Sequence, residues 1–214
     1  MKILQITFIA LIALCSCRAK PPQETGNFKQ TDLIELTKLD TSIHLDIRYA
    51  TSNNFTGQPV YKEARAFLQK PAAEALVKVN ASLKPLGYGL VVFDGYRPWS
   101  VTNLFWKITP YNKKEFVADP SKGSRHNRGC AVDLSLYNLQ TGKEIEMTGN
   151  YDEMTERSYS NYTGGTEEQR KMRDLLRSKM EAQGFTVLEN EWWHFDYKDW
   201  KEYRITDVPF SKIH

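Results

Sequence analysis

Apolar and polar residues alternate between Gly129 and Leu136, with Cys130, Val132, Leu134 and Leu136 on one side of a period of two and Ala131, Asp133 and Ser135 on the other. Successive strand side chains point to opposite faces, so this pattern predicts a strand that buries the first set and turns Asp133 toward a cleft. The same alternation sets Ile43, Leu45, Ile47 and Tyr49 against His44, Asp46 and Arg48, a half-buried strand ahead of a turn-rich loop through Asn53, Asn54 and Gly57. Leu90-Val91-Val92-Phe93 is an unbroken apolar run and reads as a short buried strand. It leads into Asp94-Gly95-Tyr96-Arg97, which puts Arg97 at a strand-to-helix corner.

Helical spacing governs three other stretches. Leu76, Val79 and Leu83 share a face between Pro71 and Pro85, with Gly87 just past the end. Pro98 opens a second helix, on which Val101, Leu104, Phe105 and Ile108 share a face. Thr166-Glu167-Glu168-Gln169 has the capping-box pattern, which Met172, Leu175, Leu176 and Met180 continue as an amphipathic helix closed by Gly184. Phe185 to Leu188 then reads as a strand. The polar stretches from Tyr111 to Ser124, and from the turn at Gln140–Lys143 through Gly165, are loops. These elements predict a single α+β domain, a central antiparallel sheet flanked by helices.

Length and composition agree with one domain: 214 residues, 41% apolar and 12% aromatic, are enough for one sizeable core. The 29 basic and 26 acidic residues are spread without a basic run and leave a net charge of +3, which argues against nucleic acid as a partner.

The first residues stand apart. Met1 to Cys17 carries one early lysine, an apolar run from Ile6 to Leu14 broken by Thr7, and then Leu14-Cys15-Ser16-Cys17. The run is well short of the roughly 20 residues of a spanning helix, so residues 1–17 read as an export signal. Leu-x-Ser-Cys resembles the bacterial lipoprotein cleavage signal, which implies a lipid on Cys17, export to the periplasm or cell envelope, and attachment to a membrane. An ordinary secretory signal cut nearby is the alternative. Residues 18–30, polar with two prolines, are expected to be a flexible tether, and 31–214 the folded domain. With Cys15 removed and Cys17 lipidated, Cys130 is the remaining thiol and no intrachain disulfide is expected. Strand parity places Cys130 in the core.

Candidate chemistry gathers in two stretches. In Ser124–Asp133, His126 and Asp133 lie on either side of a glycine turn that leads into the predicted strand. Glu191-Trp192-Trp193-His194 supplies a second imidazole and a carboxylate. A hydrolytic zinc site wants three protein ligands and one position for water, and His126, Asp133 and His194 make such a set for one Zn2+ per chain. His44 and His214, on a strand's polar face and at the terminus, argue against a three-histidine site, and the helical His-Glu-x-x-His pattern is absent. A regular strand puts Glu191 and His194 on opposite faces, so a bulge or turn has to bring both to the metal. Trp192, Trp193 and Phe195 fit a pocket wall and core packing equally. From the sequence alone, Arg97 reads as a solvated cation or a structural ion pair, and Tyr49 as a core or a cleft residue.

The two motifs resemble the zinc D-alanyl-D-alanine dipeptidases of the vancomycin-resistance type, within the zinc D,D-peptidases related in fold to the hedgehog signalling domain. Also similar are Asp46-Ile47-Arg48-Tyr49-Ala50-Thr51 with Asn54-Phe55-Thr56-Gly57, Asp94-Gly95-Tyr96-Arg97-Pro98, and Asp152-Glu153-Met154 with Glu156-Arg157-Ser158. The likeness runs in order from about Leu45 to Tyr197. It implies Glu191 as general base toward the attacking water and Arg97 as donor to the carbonyl oxygen as it becomes an oxyanion. It further implies that Tyr49 lines the substrate cleft, Asp152 receives the substrate ammonium, and Ser124 with nearby backbone groups meets the carboxylate. Recognition of both ends would restrict the substrate to a dipeptide. A D,D-carboxypeptidase trimming peptidoglycan stems would use the same residues in an open groove. A zinc-stabilised, hedgehog-like binding module is the alternative of another class, and it would need neither Glu191 nor Arg97.

Overall fold

The computed structural model describes residues 19–213, so the expected export signal and Cys17 lie outside the described residues. In chain order the elements are β1 (Leu33–Glu35), α1 (Leu36–Leu39), β2 (His44–Leu45), β3 (Phe67–Gln69), α2 (Lys70–Leu83), β4 (Tyr88–Asp94), α3 (Trp99–Ile108), β5 (Ala131–Asn138), α4 (Glu167–Glu181), β6 (Phe185–Leu188) and β7 (Glu191–Tyr197). Short 3-10 turns join several of them. The main sheet has the order β2-β4-β5-β7-β6, and β1 pairs with β3 in a small antiparallel sheet of its own.

The main sheet is mixed, which corrects the expectation of an antiparallel one. β2 runs parallel to β4, with His44 opposite Val91, while the other neighbours are antiparallel. Parallel pairing needs a long crossover, and here it is supplied by the loop after β2, then β3 and α2. The expected strand from Ile43 to Tyr49 is cut to two residues. One more ladder bond forms, from Asp46 N to the Val92 carbonyl, before the chain turns at Arg48–Ala50. The turn is fixed because the Tyr49 carbonyl accepts both Val60 N and Tyr61 N at 2.8 Å. It carries the Tyr49 ring inward, to 4.7 Å from Phe105.

β5 is buried on both faces, from Ala131 to Tyr137, not on alternate positions. It is the middle strand, and each face is covered by different material. On one side α2 and α4 pack on each other and on the sheet, burying Leu76, Val79, Leu83, Met172, Leu176 and Met180 with Leu90, Val92, Leu134 and Leu136. Cys130 lies in the same core, and burial pushes its thiol up to about 12. On the other side Val91, Phe93 and Tyr137 form a small cluster with Tyr151, which belongs to the long polar loop after β5.

α4 has the capping box expected of it, with Gln169 N donating to Thr166 Oγ1 and Thr166 N donating to Gln169 Oε1. α3 is rotated relative to the expected face. Trp99, Thr102 and Phe105 point inward, whereas Leu104 and Ile108 are 38% and 46% exposed. The rotation follows from polar contacts that hydrophobic periodicity does not weigh: Thr102 Oγ1 accepts Asn127 Nδ2 at 2.8 Å, and the Arg97 guanidinium lies over the Phe105 ring.

The stretch expected to be a tether makes contacts with the domain. Residues 19–30 form no helix or strand, but Glu24 pairs with Arg128 at 2.6 Å and accepts Ile205 N at 2.7 Å. Lys29 N donates to the Glu202 carbonyl at 2.8 Å. A shielded ion pair, a backbone N–H on the Glu24 carboxylate and one backbone–backbone bond hold this stretch against the domain.

Candidate metal centre and substrate cavity

A row of residues across three strands builds the site. Asp94 on β4 stands opposite Asp133 on β5, and Asp133 stands opposite His194 on β7. Asp94 reaches the row because Phe93 is an extra residue: Val92 pairs with Leu134 and Asp94 with Asp133, the two-against-one count of a bulge. A larger irregularity lies between β6 and β7, where Leu188 pairs with Glu191 but Val187 pairs with Phe195. This is the bulge that the spacing of Glu191 and His194 required. It leaves Glu191 Oε2 3.7 Å from His194 Nδ1.

His126 enters from the turn His126–Arg128 that precedes β5. Ser124 caps this turn, its Oγ accepting His126 N at 3.2 Å and its own N donating to Asn127 Oδ1 at 2.8 Å. Gly129 closes it at φ 68°, where a Cβ would stand 2.4 Å from Leu33 Cδ2. The turn is thus specified by both backbone and packing.

The ring nitrogens of both histidines are committed on one side. His126 Nδ1 lies 2.7 Å from the Gly95 carbonyl, and His194 Nε2 lies 2.9 Å from Asp196 Oδ1, so those nitrogens carry the hydrogens. The opposite nitrogens turn their lone pairs inward. His126 Nε2 and His194 Nδ1 are 3.1 Å apart, and Asp133 Oδ1 is 3.2 Å from the first and 3.0 Å from the second. Three electron-rich atoms in contact, in side chains almost wholly buried, call for a positive charge between them. Tetrahedral zinc ligands at ~2.1 Å would sit about 3.4 Å apart, so the set fits that ion. Burial opposes charge on Asp133, but His126 and His194 more than offset it and hold its carboxyl well below the usual range. Burial also opposes a charged His194, and there Asp196 and Asp133 prevail and raise it.

Arg97 is 8% exposed and is held like a tool in a clamp. Its Nε and Nη2 both reach Asp94 Oδ2, at 2.9 and 2.8 Å, and Nη2 lies 3.6 Å from Asp133 Oδ2. Asp94 Oδ1 in turn accepts the Tyr61 hydroxyl and Gly95 N, each at 2.9 Å. The rings of Phe105 and Tyr49 lie 4.9 and 5.3 Å from the guanidinium carbon. Nη1 is the nitrogen not committed to either aspartate.

These groups face a cavity of about 230 Å3, whose lining includes Tyr49, Arg97, Ser124, Asp152, Glu191 and the three metal-binding candidates. It is smaller than the ~300–1,000 Å3 of pockets for drug-sized ligands. Burial lifts the Glu191 carboxyl to about 7, with His194 pulling it down and Asp133 pushing it up. Asp152 is lifted further, to about 8, by burial and by Asp133. Its Oδ1 accepts the Tyr49 hydroxyl at 3.0 Å, while Oδ2 is shielded and has no hydrogen-bond partner among the described residues. A buried, unpartnered carboxylate oxygen at a cavity wall is a site for a cation or a donor.

Tyr49, Arg97, Ser124, His126, Asp133, Asp152, Glu191 and His194, the candidate site residues read from the sequence, therefore surround one cavity. Tyr49 is both a core and a cleft residue, and Ser124 has a structural task at the cap of the His126 turn. Sequence reasoning missed Asp94, Tyr61, Tyr151 and Asp196. Asp196 was within reach of it, since residues two apart on a strand share a face and His194 was already chosen. Tyr61 and Tyr151 lie in loops and carry no periodic signal.

Residues 29–212 match the family described as D-ala-D-ala dipeptidase. The chain is 33% identical over 181 residues to the D-alanyl-D-alanine dipeptidase of Escherichia coli (strain K12), covering 85% of this chain and 92% of that one. It is 38% identical over 187 residues to that of Enterococcus faecium, covering 78% and 93%. The Enterococcus faecalis dipeptidase is 36% identical over 193 residues, covering 80% and 92%. A match of this extent, laid over a site with a triad able to hold a metal, a carboxylate beside it and a clamped arginine, means that the chain belongs to the D-ala-D-ala dipeptidase family.

Proposed function

We propose that the protein hydrolyses the dipeptide D-alanyl-D-alanine, with one zinc ion held by His126 Nε2, Asp133 Oδ1 and His194 Nδ1. A zinc ion held there would supply a water of lowered pKa and polarisation of the peptide carbonyl. The observation that carries the reading is the shielded, unpartnered Asp152 Oδ2 in the same small cavity as the triad and Glu191. A dipeptide has an ammonium group one residue from its scissile bond, and Asp152 is the partner for it.

The chain's own residues then have distinct tasks. Glu191, with a carboxyl near neutrality, takes a proton from the attacking water as its oxygen bonds to the carbonyl carbon. Arg97, with Nη1 free of the Asp94 clamp, donates to the carbonyl oxygen as that oxygen gains charge. When the carbon–nitrogen bond breaks, Glu191 returns the proton to the leaving amine. Ser124 and adjacent backbone groups meet the substrate carboxylate, and the products are two molecules of D-alanine.

The test is amine release from D-alanyl-D-alanine, its L,L isomer and a D-alanyl-D-alanine-terminated pentapeptide, with and without zinc. Turnover of the D,D dipeptide alone is the expected result. Cleavage of the pentapeptide would make the protein a D,D-carboxypeptidase, and zinc uptake with no cleavage would leave a binding module.

We further propose that the protein is exported and held in the cell envelope by a lipid on Cys17, on the strength of Leu14-Cys15-Ser16-Cys17 after an apolar run. Labelled fatty acid should enter the protein and be lost in Cys17→Ala. Equal labelling of both forms would refute the anchor.

A further inference from the structure

Asp133 uses its two oxygens differently. Oδ1 faces His126 Nε2 and His194 Nδ1, while Oδ2 accepts the Tyr151 hydroxyl at 3.1 Å, with Arg97 Nη2 3.6 Å away. A carboxylate can offer a cation one oxygen or both, and it can turn about its Cβ–Cγ bond. A hydroxyl on Oδ2 removes that freedom and leaves Oδ1 for the metal. Partners of this kind fix the orientation of metal ligands and tune them.

The hydroxyl is itself well placed to do this. The Tyr151 ring lies 4.7 Å from Phe93, 5.5 Å from Trp193 and 6.1 Å from Tyr49, centroid to centroid. Phe93 is the extra residue of the β4 bulge and Trp193 precedes His194, so the strands that bring Asp94 and His194 to the site also hold this ring. The next residue is Asp152, at φ 59°, the one non-glycine with a left-handed backbone among the described residues. Such a conformation is strained for a residue with a side chain and persists where the surroundings enforce it. Here it lets two consecutive side chains turn inward, Tyr151 to Asp133 and Asp152 to the Tyr49 hydroxyl.

We propose that Tyr151 is a positioning residue of the metal centre. Its hydroxyl holds Asp133 to ligation through one oxygen, and its peptide bond to Asp152 fixes the separation between the metal and the group that receives the substrate ammonium. This rests on the zinc-dipeptidase reading above.

Tyr151→Phe keeps the ring and deletes the hydroxyl. Titrated with zinc against a competing chelator, the variant should bind zinc about 10–100-fold more weakly than the parent chain. At saturating zinc its KM for D-alanyl-D-alanine should also rise. Phe93→Leu loosens the ring but leaves the hydroxyl, and should weaken zinc less than Tyr151→Phe does. Zinc affinity of Tyr151→Phe within twofold of the parent, or a larger effect from Phe93→Leu, would overturn the proposal. A parent chain that takes up no zinc would instead overturn the zinc reading. Should Tyr151→Phe fail to fold, as judged by circular dichroism, the ring Cζ resonance of Tyr151 in the parent decides. It should move when zinc is added, and a stationary resonance would refute the role.

Discussion

The Tyr49 hydroxyl donates to Asp152 Oδ1 at 3.0 Å and leaves Oδ2 shielded at the wall of the cavity. Burial, reinforced by Asp133, raises this carboxyl from the usual 3.8 to about 8. Between those values the folded chain keeps a proton that the unfolded chain has lost. The contribution to stability is therefore complete below the unfolded value and is lost as pH rises through about 8. Zinc-free, substrate-free protein should lose stability relative to Asp152→Asn as the pH rises from about 5 to 8, by at most about 1.4 kcal/mol per pH unit for one proton. Urea unfolding of both proteins over that range is the measurement. Parallel pH dependences would mean that Asp152 is ionised in the empty site.

Glu191 Oε2 lies 3.7 Å from His194 Nδ1, close enough to serve a metal held by the triad. Glu191→Gln keeps the shape and removes the base. Turnover should fall by about 10²–10⁴-fold, with zinc content unchanged. Loss of zinc together with activity would show that Glu191 is a ligand and not the base.

How much of this was legible in the sequence depends on what kind of signal each residue leaves. His126, Asp133, Glu191 and His194 stood out because their chemistry is rare and their spacing fits a strand and a turn. The helices α2 and α4 followed from apolar period and capping residues. The face of α3 did not, because Thr102 and the Arg97–Phe105 stack turn it by polar and cation–π contacts that no hydrophobic count contains. β2 was overestimated because alternation through Tyr49 cannot reveal that the Tyr49 carbonyl is taken by Val60 and Tyr61. Asp94 lay in a quoted motif without a role, since its task depends on a bulge at Phe93 that appears only once β4 and β5 are paired.

Arg97 and Asp94 make a further prediction possible. Two guanidinium nitrogens grip one carboxylate oxygen, and that oxygen's partner is fixed by Tyr61 and Gly95 N. Lysine keeps the charge but not the planar fork, so it cannot hold Asp94 and reach the substrate at once. Arg97→Lys should lower kcat by about 10²-fold or more with a smaller change in KM, the pattern of a donor used in the transition state. Steady-state kinetics on D-alanyl-D-alanine separate the two constants. A change confined to KM would move Arg97 from the reaction to substrate binding.

Glu24 lies ahead of the family-matched residues 29–212, and the fold nonetheless uses it. Its carboxylate meets Arg128 and Ile205 N, and the Arg204 guanidinium donates to its carbonyl at 3.0 Å. Arg128 follows His126 by two residues and is the last residue of the turn that carries it. Both side chains of the pair are mostly shielded, at 10% and 18% exposure, so solvent screens them only in part. Glu24→Ala leaves the Ile205 N–H without its acceptor and should cost about 1–3 kcal/mol in urea unfolding. Arg128→Ala should cost at least as much, since Arg128 also bonds the Tyr203 carbonyl. The double variant should fall short of the sum because the two residues share one interaction. Strict additivity would mean that the Glu24–Arg128 pair contributes nothing, and a Glu24→Ala variant as stable as the parent would mean that the segment before residue 29 merely lies against the domain.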